Sequence, residues 1–413
     1  MRVAIVGSGV SGLVVAHHLH PAHEIAVFEA EARVGGHVHT VDAEAGGRTW
    51  AVDTGFIVFN EENYPNLVRI LDGLGVESQP STMSFSVKDE RSGLEWNGSS
   101  LDRIFAQRSN LLRPSFHRML ADLLRFRKES RELLVGAPDD LTLGAYLDEQ
   151  GYSRPFVEDC LVPMGASIWS ADPETFARFP ARAFARFFHN HRFLEAEQPG
   201  WRVVKGGSRT YVEALTRPFR DRIRSGTPVE SVRRHPDRVE VRPAGGPAER
   251  FDEVILATHS DEALRMLADP SAAEREVLGA IPYQRNETVL HTDATVLPRA
   301  RKARGAWNYL VPREPQGRVT LTYDMNLLQT LEAPDTFCVS LNMSGRIDPA
   351  RVLLRLDHAH PVYTPEGIRA QRRHGEVSGV SRTHYAGAYW GDGFHEDGVR
   401  SALAVCRAFG RAA

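Results

Sequence analysis

The sequence predicts an α/β fold in two lobes, one on a parallel sheet of Rossmann type and one α+β around an antiparallel sheet. Three observations predict it. The chain opens on an apolar run that passes directly into a glycine-rich turn, a helix, a second apolar run and an acid. Between residues 280 and 366 short β-like runs recur at the spacing of an antiparallel sheet. The chain then closes on another strand, a glycine-rich turn and a final helix.

Arg2-Val3-Ala4-Ile5-Val6 suits a buried parallel strand, and Gly7-Ser8-Gly9-Val10-Ser11-Gly12 reads G-x-G-x-x-G. A helical stretch follows from Leu13 to Leu19, then Ile25-Ala26-Val27-Phe28 ends on Glu29. Each residue type has a reason. Gly7 allows the tight turn, Gly9 lets backbone approach a pyrophosphate, and Gly12 lets helix and strand pack closely. The helix N-terminus offers free N–H groups and the positive end of its dipole to an anion. Glu29 is placed to accept hydrogen bonds from an adenosine ribose. The unit binds a dinucleotide, either NAD or FAD.

At 413 residues the chain can bury large cores and divides into two lobes rather than one. Hydrophobic content of 42% and charged content of 25% are those of an ordinary globular protein. A net charge of −3 gives no reason to expect nucleic acid. Lys88, Lys128, Lys205 and Lys302 are the only lysines, so positive charge is nearly all arginine. Cys160, Cys338 and Cys406 lie far apart without C-x-x-C spacing, which indicates neither disulfides nor zinc. The N-terminus starts at once with a strand, and no apolar run approaches a membrane span, so a soluble cytoplasmic protein is expected.

The stretch after the acid separates the two dinucleotides. Glu29-Ala30-Glu31-Ala32-Arg33-Val34-Gly35-Gly36-His37 resembles the E-x-x-x-R-x-G-G motif of the FAD-dependent amine oxidase superfamily, which includes phytoene desaturases and protoporphyrinogen oxidase. The resemblance implies a glutathione-reductase-like FAD lobe from residues 1–75, 200–270 and 375–413, and a substrate lobe from 76–199 and 271–374. It implies an Asp-x-Gly close to the flavin, matched by Asp53-Thr54-Gly55-Phe56. It also carries adenine-holding backbone over to Val229, and the strand end beside the pyrophosphate to Ala257.

Between these motifs, strand-like stretches surround Gly46-Gly47, and Leu67 to Leu74 reads as a helix stopped by Gly73 and Gly75. Phe56-Ile57-Val58-Phe59-Asn60 and Tyr64 either line a substrate cavity or pack in the core. Ser84 to Asn97 reads as short strands. Leu101 to Leu134 reads as helical, amphipathic and basic, with Arg113, Arg118, Arg125, Arg127 and Arg131 beside Leu120, Leu123, Leu124 and Phe126. Such a helix rests on an anionic membrane or forms the solvated face of a packed helix. Gly165-Ala166-Ser167 leaves room beside a planar ring or an acyl chain, or makes a helix contact. Phe184, Phe187, Phe188, His189, His191 and Phe193 form a dense aromatic stretch whose H-x-H lacks partners for a metal. His358-Ala359-His360-Pro361 is expected after a helix.

At the far end, Thr383 to Tyr389 ends a strand, and Gly391-Asp392-Gly393-Phe394-His395-Glu396-Asp397-Gly398 leads into a helix from Val399 to Phe409. The resemblance implies A-G near the ribityl chain at Gly387, and Gly393, Phe394 and His395 at the isoalloxazine. The departures are equally informative. Amine-oxidising members set two aromatic rings beside the flavin, and here those places fall on Phe394 and, more loosely, His360. The lysine that often holds a water near flavin N5 is absent from the strand containing Val289, where Arg285 and Asn286 are nearest. The acid that follows A-G is replaced by Ala388-Tyr389.

Gly-Ala-Ser-Ile-Trp, Leu-His-Thr-Asp, Trp-Asn-Tyr and Gly-Phe-His-Glu-Asp-Gly are similar to a bacterial group of FAD-binding oxidoreductases. The oxidase-like N-terminal half of plant cyclopropane fatty acid synthases is similar to that group. This implies a fatty acyl or lipid substrate, noncovalent FAD, and hydride abstraction with His360 and His395 as candidate bases and Phe394 packed on the ring. Two other readings stand beside it: an amine or amino acid oxidase, and a flavoprotein partner of a lipid methyltransferase with little turnover. Peripheral membrane contact is compatible with each.

Overall fold

Val3, Ala4 and Ile5 are completely buried because the strand Arg2–Val6 lies mid-sheet, apolar on both faces. The structure, a computed structural model, describes residues 1–138, 140–193 and 199–411. The sheet has five strands in the order Ile223–Arg224, Glu24–Phe28, Arg2–Val6, Glu253–Leu256, Thr383–Tyr385. All are parallel. The chain turns to one side of the first strand and later returns on the other, so the strand order reverses there and opens a crevice beyond the carboxyl ends. Register aligns those ends: Val6 pairs with both Phe28 and Leu256, and Leu256 with Tyr385. Gly7, Glu29, Ala257 and Ala386 therefore leave the sheet together.

The second sheet has seven strands in the order Val352–Pro361, Tyr283–His291, Cys338–Leu341, Leu321–Asp324, Trp307–Val311, Phe85–Asp89, Leu94–Asn97. Its one parallel pair joins Trp307–Val311 to Phe85–Asp89, which adds a hairpin from early in the chain to the expected antiparallel sheet. A buried cluster runs from this sheet through Trp96, Phe116, Phe126 and Phe156 to Trp169, Phe184, Phe187 and Tyr363, with Phe394 packed at its border.

Several expectations are corrected. Residues 101 to 134 are not one helix but Leu101–Ile104, a 3-10 turn Arg108–Leu112, Pro114–Glu129 and the start of Glu132–Gly136. Pro114 forces the break, since Arg113 before it is extended (φ −99°, ψ 107°). On Pro114–Glu129, Phe116, Met119 and Phe126 are buried, while Arg118 and Arg125 pair with Asp122. It is therefore a packed helix with a solvated face. His358 and His360 follow no helix: they belong to the ten-residue strand Val352–Pro361. Gly73 lies inside the helix Pro65–Leu74, which Gly75 closes at φ +67°. The last helix begins at His395 rather than Val399. Phe59 and Tyr64 are core residues.

Of the two readings of Gly165, the helix contact holds, with rings of the helices Pro173–Phe176 and Ala181–Asn190 filling the space. A Cβ there would lie 2.4 Å from the Phe176 ring and 2.9 Å from that of Phe184. Gly165→Ala should therefore cost about 1–3 kcal/mol by overpacking. Gly136→Ala, where a Cβ meets nothing within 4 Å, should be neutral to stabilising. Urea unfolding of the two variants against wild type measures the contrast.

Candidate functional site

The opening turn is close-packed backbone. Gly7 has φ +100°, and a Cβ on it would sit 2.6 Å from the Ala257 carbonyl oxygen; one on Gly12 would sit 2.0 Å from that of Gly7. The second glycine pair meets this turn face on. Gly35 N–H donates to the Ser8 carbonyl at 3.1 Å, and a Cβ on Gly36 would lie 2.9 Å from the Gly9 Cα. Arg33 reinforces this loop, donating to the carbonyls of Gly36 at 2.7 Å and Val38 at 2.9 Å. Glu29 accepts from Ser8 N–H at 2.9 Å and from its hydroxyl. Thr227 N–H donates to the Glu29 carbonyl at 2.7 Å, which brings the strand starting at Val229 alongside. A Cβ on Gly55 would strike the His37 carbonyl at 2.0 Å, and Phe56 N–H donates to that carbonyl at 2.8 Å.

The residues fit a dinucleotide diphosphate. The first helix, Val10–Leu19, has no side-chain cap and no acid in its first turn. A Cβ at Gly9 would meet nothing within 4 Å. Free N–H groups and the positive dipole end thus open onto the crevice.

Asp53 is held by protein donors. It is fully buried and accepts from the Thr40 hydroxyl at 2.6 Å, Ser208 N–H at 3.0 Å, the Ser208 hydroxyl at 2.7 Å and the Gln329 amide at 3.1 Å. It braces three loops under the site, and burial pushes its carboxyl up to about 6.

The final helix, His395–Ala408, crosses the first. The Ser11 hydroxyl donates to the Gly398 carbonyl at 3.0 Å, and a Cβ on Gly398 would lie 2.7 Å from Val10. Gly387 N–H donates to the Ser401 hydroxyl at 2.9 Å, with the Tyr389 ring where its side chain would be. Gly393 has φ +93°, and a Cβ there would lie 2.5 Å from the Tyr363 hydroxyl, a buried group with no hydrogen-bond partner among the described residues.

Phe394 and His395 diverge from this turn. Phe394 stacks on Phe187 at 4.8 Å and meets Trp169 at 6.3 Å. His395 turns the other way, stacked on Phe56 at 3.7 Å with Nε2 2.8 Å from the Tyr211 hydroxyl. Burial holds its imidazole down to about 3. His360 lies elsewhere, in a group of four imidazoles. Ring centroids of His37 lie 5.1 Å from His358, 5.5 Å from His360 and 6.4 Å from His259. Burial, then mutual repulsion, holds His360 to about 3; burial and Arg33 hold His358 to about 4.

One hydrogen bond determines which face of His360 is available. The buried Asn286 accepts from the Asn342 amide at 2.8 Å, and its own amide donates to the Ser170 carbonyl at 3.0 Å and to His360 Nδ1 at 3.1 Å. Because Nδ1 accepts, the neutral ring carries its proton on Nε2. His360 therefore offers a donor, where a base was expected. Arg285, next in sequence to Asn286, points outward and pairs with Asp357.

A family model, flavin containing amine oxidoreductase, matches residues 10–301. The chain belongs to that family. It is an FAD-dependent oxidoreductase. This flavin oxidoreductase also shares its fold with solved structures along its whole length. Cyclohexylamine oxidase from Brevibacterium oxydans IH-35A superposes with a TM-score of 0.71 at 16% identity, covering 99% of each chain. Putrescine oxidase bound to putrescine superposes with a TM-score of 0.67 at 15% identity, covering 99% of each chain. A CLA-producing fatty acid isomerase from P. acnes gives 0.65 at 16%, covering 99% of this chain and 98% of the other. No curated protein matches in sequence.

Sequence reasoning missed Ser208 and Gln329 on Asp53, His259 and His358 in the imidazole group, and the Asn342–Asn286 pair. A lone Asn or His carries no pattern, and only the fold gathers them. The imidazoles make stability depend on pH. Unfolded, each titrates near 6.5; folded, His358, His360 and His395 resist protonation to about 3–4. Their contribution is complete above the unfolded value and is lost as pH falls from 6.5 toward 4. The raised carboxyl of Asp53 works in the opposite direction, losing stability as pH rises through that window. His358→Gln should therefore show a shallower loss than wild type between pH 6.5 and 4.5, read as urea midpoints.

Proposed function

We propose that this oxidoreductase dehydrogenates an apolar substrate, a fatty acyl chain or related lipid, with hydride going to the flavin and the proton of the neighbouring carbon released to solvent. The observation that carries the reading is the wall beside the flavin turn: Phe394 is met by Phe187 and Trp169, and Tyr363 adds one buried hydroxyl. Where an amine oxidase would offer an aromatic pair and a lysine, this chain offers an aromatic surface and the neutral Asn286–His360 pair. The fold is shared by amine-acting and fatty-acid-acting proteins, so the side chains at the site carry the distinction.

Gly9, Gly12, Gly36, Glu29 and the backbone around Val229 would hold the dinucleotide noncovalently, with Arg33 and Asp53 bracing the loops that present them. The flavin, when bound, supplies a hydride acceptor. Phe187, Trp169 and Phe394 exclude water and position an apolar chain. His360 donates from Nε2 to a polar group of the substrate, and the Tyr363 hydroxyl supplies a second polar contact. His395, held by Tyr211 and Phe56, positions the turn bearing Phe394 and stays uncharged.

Anaerobic mixing of holoprotein with long-chain acyl compounds should bleach the flavin band, while cyclohexylamine and putrescine leave it unchanged. Bleaching by amines alone refutes the lipid reading. Asn286→Asp places a carboxylate beside His360 and so raises its proton affinity. The variant should gain an ionisation in the acidic limb of the pH profile of kcat/KM, above the about 3 at which wild-type His360 is held, with flavin content unchanged.

A further inference from the structure

Six of the nine large hydrophobic side chains exposed among the described residues fall between residues 101 and 135. Three lie on its first turns: Leu101 is 78% exposed, Leu111 50% and Leu112 87%. Exposed large apolar side chains gathered in one place, rather than scattered singly, mark a surface that meets an apolar partner. These three stand among cations that the fold collects from two distant segments. Asp102, beside Leu101, accepts from Arg108 on the turn that carries Leu111 and Leu112, and at 2.7 Å from Lys302. Arg103 reaches the Arg304 carbonyl at 3.4 Å. Arg299, Arg301 and Lys302 are exposed on the same side, while the nearby carboxylate of Glu95 is buried, accepting from the backbone N–H of Arg299 and Ala300.

Leucines at the tip with arginine and lysine around them, in a chain of net charge −3, form a local surface complementary to anionic headgroups over an acyl layer. We propose that this face, Leu101 to Leu112 with Arg299 to Lys302, rests on an anionic phospholipid bilayer. Charge complementarity favours an anionic partner, and the exposed leucines favour one with an apolar layer beneath its charges. No described helix is long and apolar enough to cross a membrane, so the contact is peripheral. Ile104 and Phe105 behind the face pack on the same apolar cluster that borders Phe394. The proposal concerns binding and does not depend on the substrate reading.

Flotation of FAD-loaded full-length protein with phosphatidylcholine vesicles, with and without phosphatidylglycerol, tests it. Wild type should float with the anionic vesicles and weaken as salt rises. Leu111→Glu with Leu112→Glu, and separately Arg108→Glu with Lys302→Glu, should each weaken binding by about tenfold or more, with flavin absorbance and melting temperature unchanged. Absence of anionic-vesicle binding at low salt overturns the proposal. So does binding untouched by the leucine pair, which would mark a purely electrostatic contact, and so does self-association abolished by it, which would mark a second copy of the chain.

Discussion

Backbone contact at the strand-order reversal is the constraint on which the rest depends. The Gly7 carbonyl lies where a side chain on Gly12 would be, and the Ala257 carbonyl where one on Gly7 would be. Only that approach lets the first helix start directly above the strand Arg2–Val6 and present an uncapped N-terminus to the crevice. Gly36 against Gly9 and Gly398 against Val10 extend the principle. Segments from the start, the loop after the first acid and the end of the chain are locked together through missing side chains.

Around this framework the charges are arranged to be few and tied. Arg33 is committed to carbonyls of its own loop, and Asp53 to Thr40, Ser208 and Gln329. What faces the site instead is a set of buried imidazoles kept neutral by desolvation. These imidazoles stand in contact with one another beside the loop of the second glycine pair. The Asn342–Asn286–His360 relay shows how such a lining is given direction: two amides with assigned donors decide which imidazole nitrogen carries the proton.

The long acid-capped helices add rigidity. Glu396 accepts from the N–H groups of Asn66 and Leu67, and so caps the helix Pro65–Leu74 from another part of the chain, while Asp397 caps its own helix through Phe394 N–H. Burial and the neighbouring Asp392 push the Asp397 carboxyl up to about 7. The turn that carries Gly393 and Phe394 is thereby held at both ends.

By itself the sequence determined the dinucleotide turn, the second glycine pair, the closing helix and the combination of a parallel with an antiparallel sheet. Each of these is local: a spacing of glycines or an alternation of apolar residues dictates backbone shape within a few residues. Breaks were less legible, as at Pro114, where a helical composition overrode the effect of proline on the residue before it. The tertiary structure alone decided the directions of side chains: Phe394 toward Phe187 and His395 toward Phe56 and Tyr211, His360 as a donor, Gly165 as a packing contact. For Phe394 and His395 the deciding partners lie more than a hundred residues away, for His360 74 residues away, and no periodicity encodes them. The same is true of the basic, leucine-bearing face, which exists only because Asp102 bridges Arg108 and Lys302 across the fold.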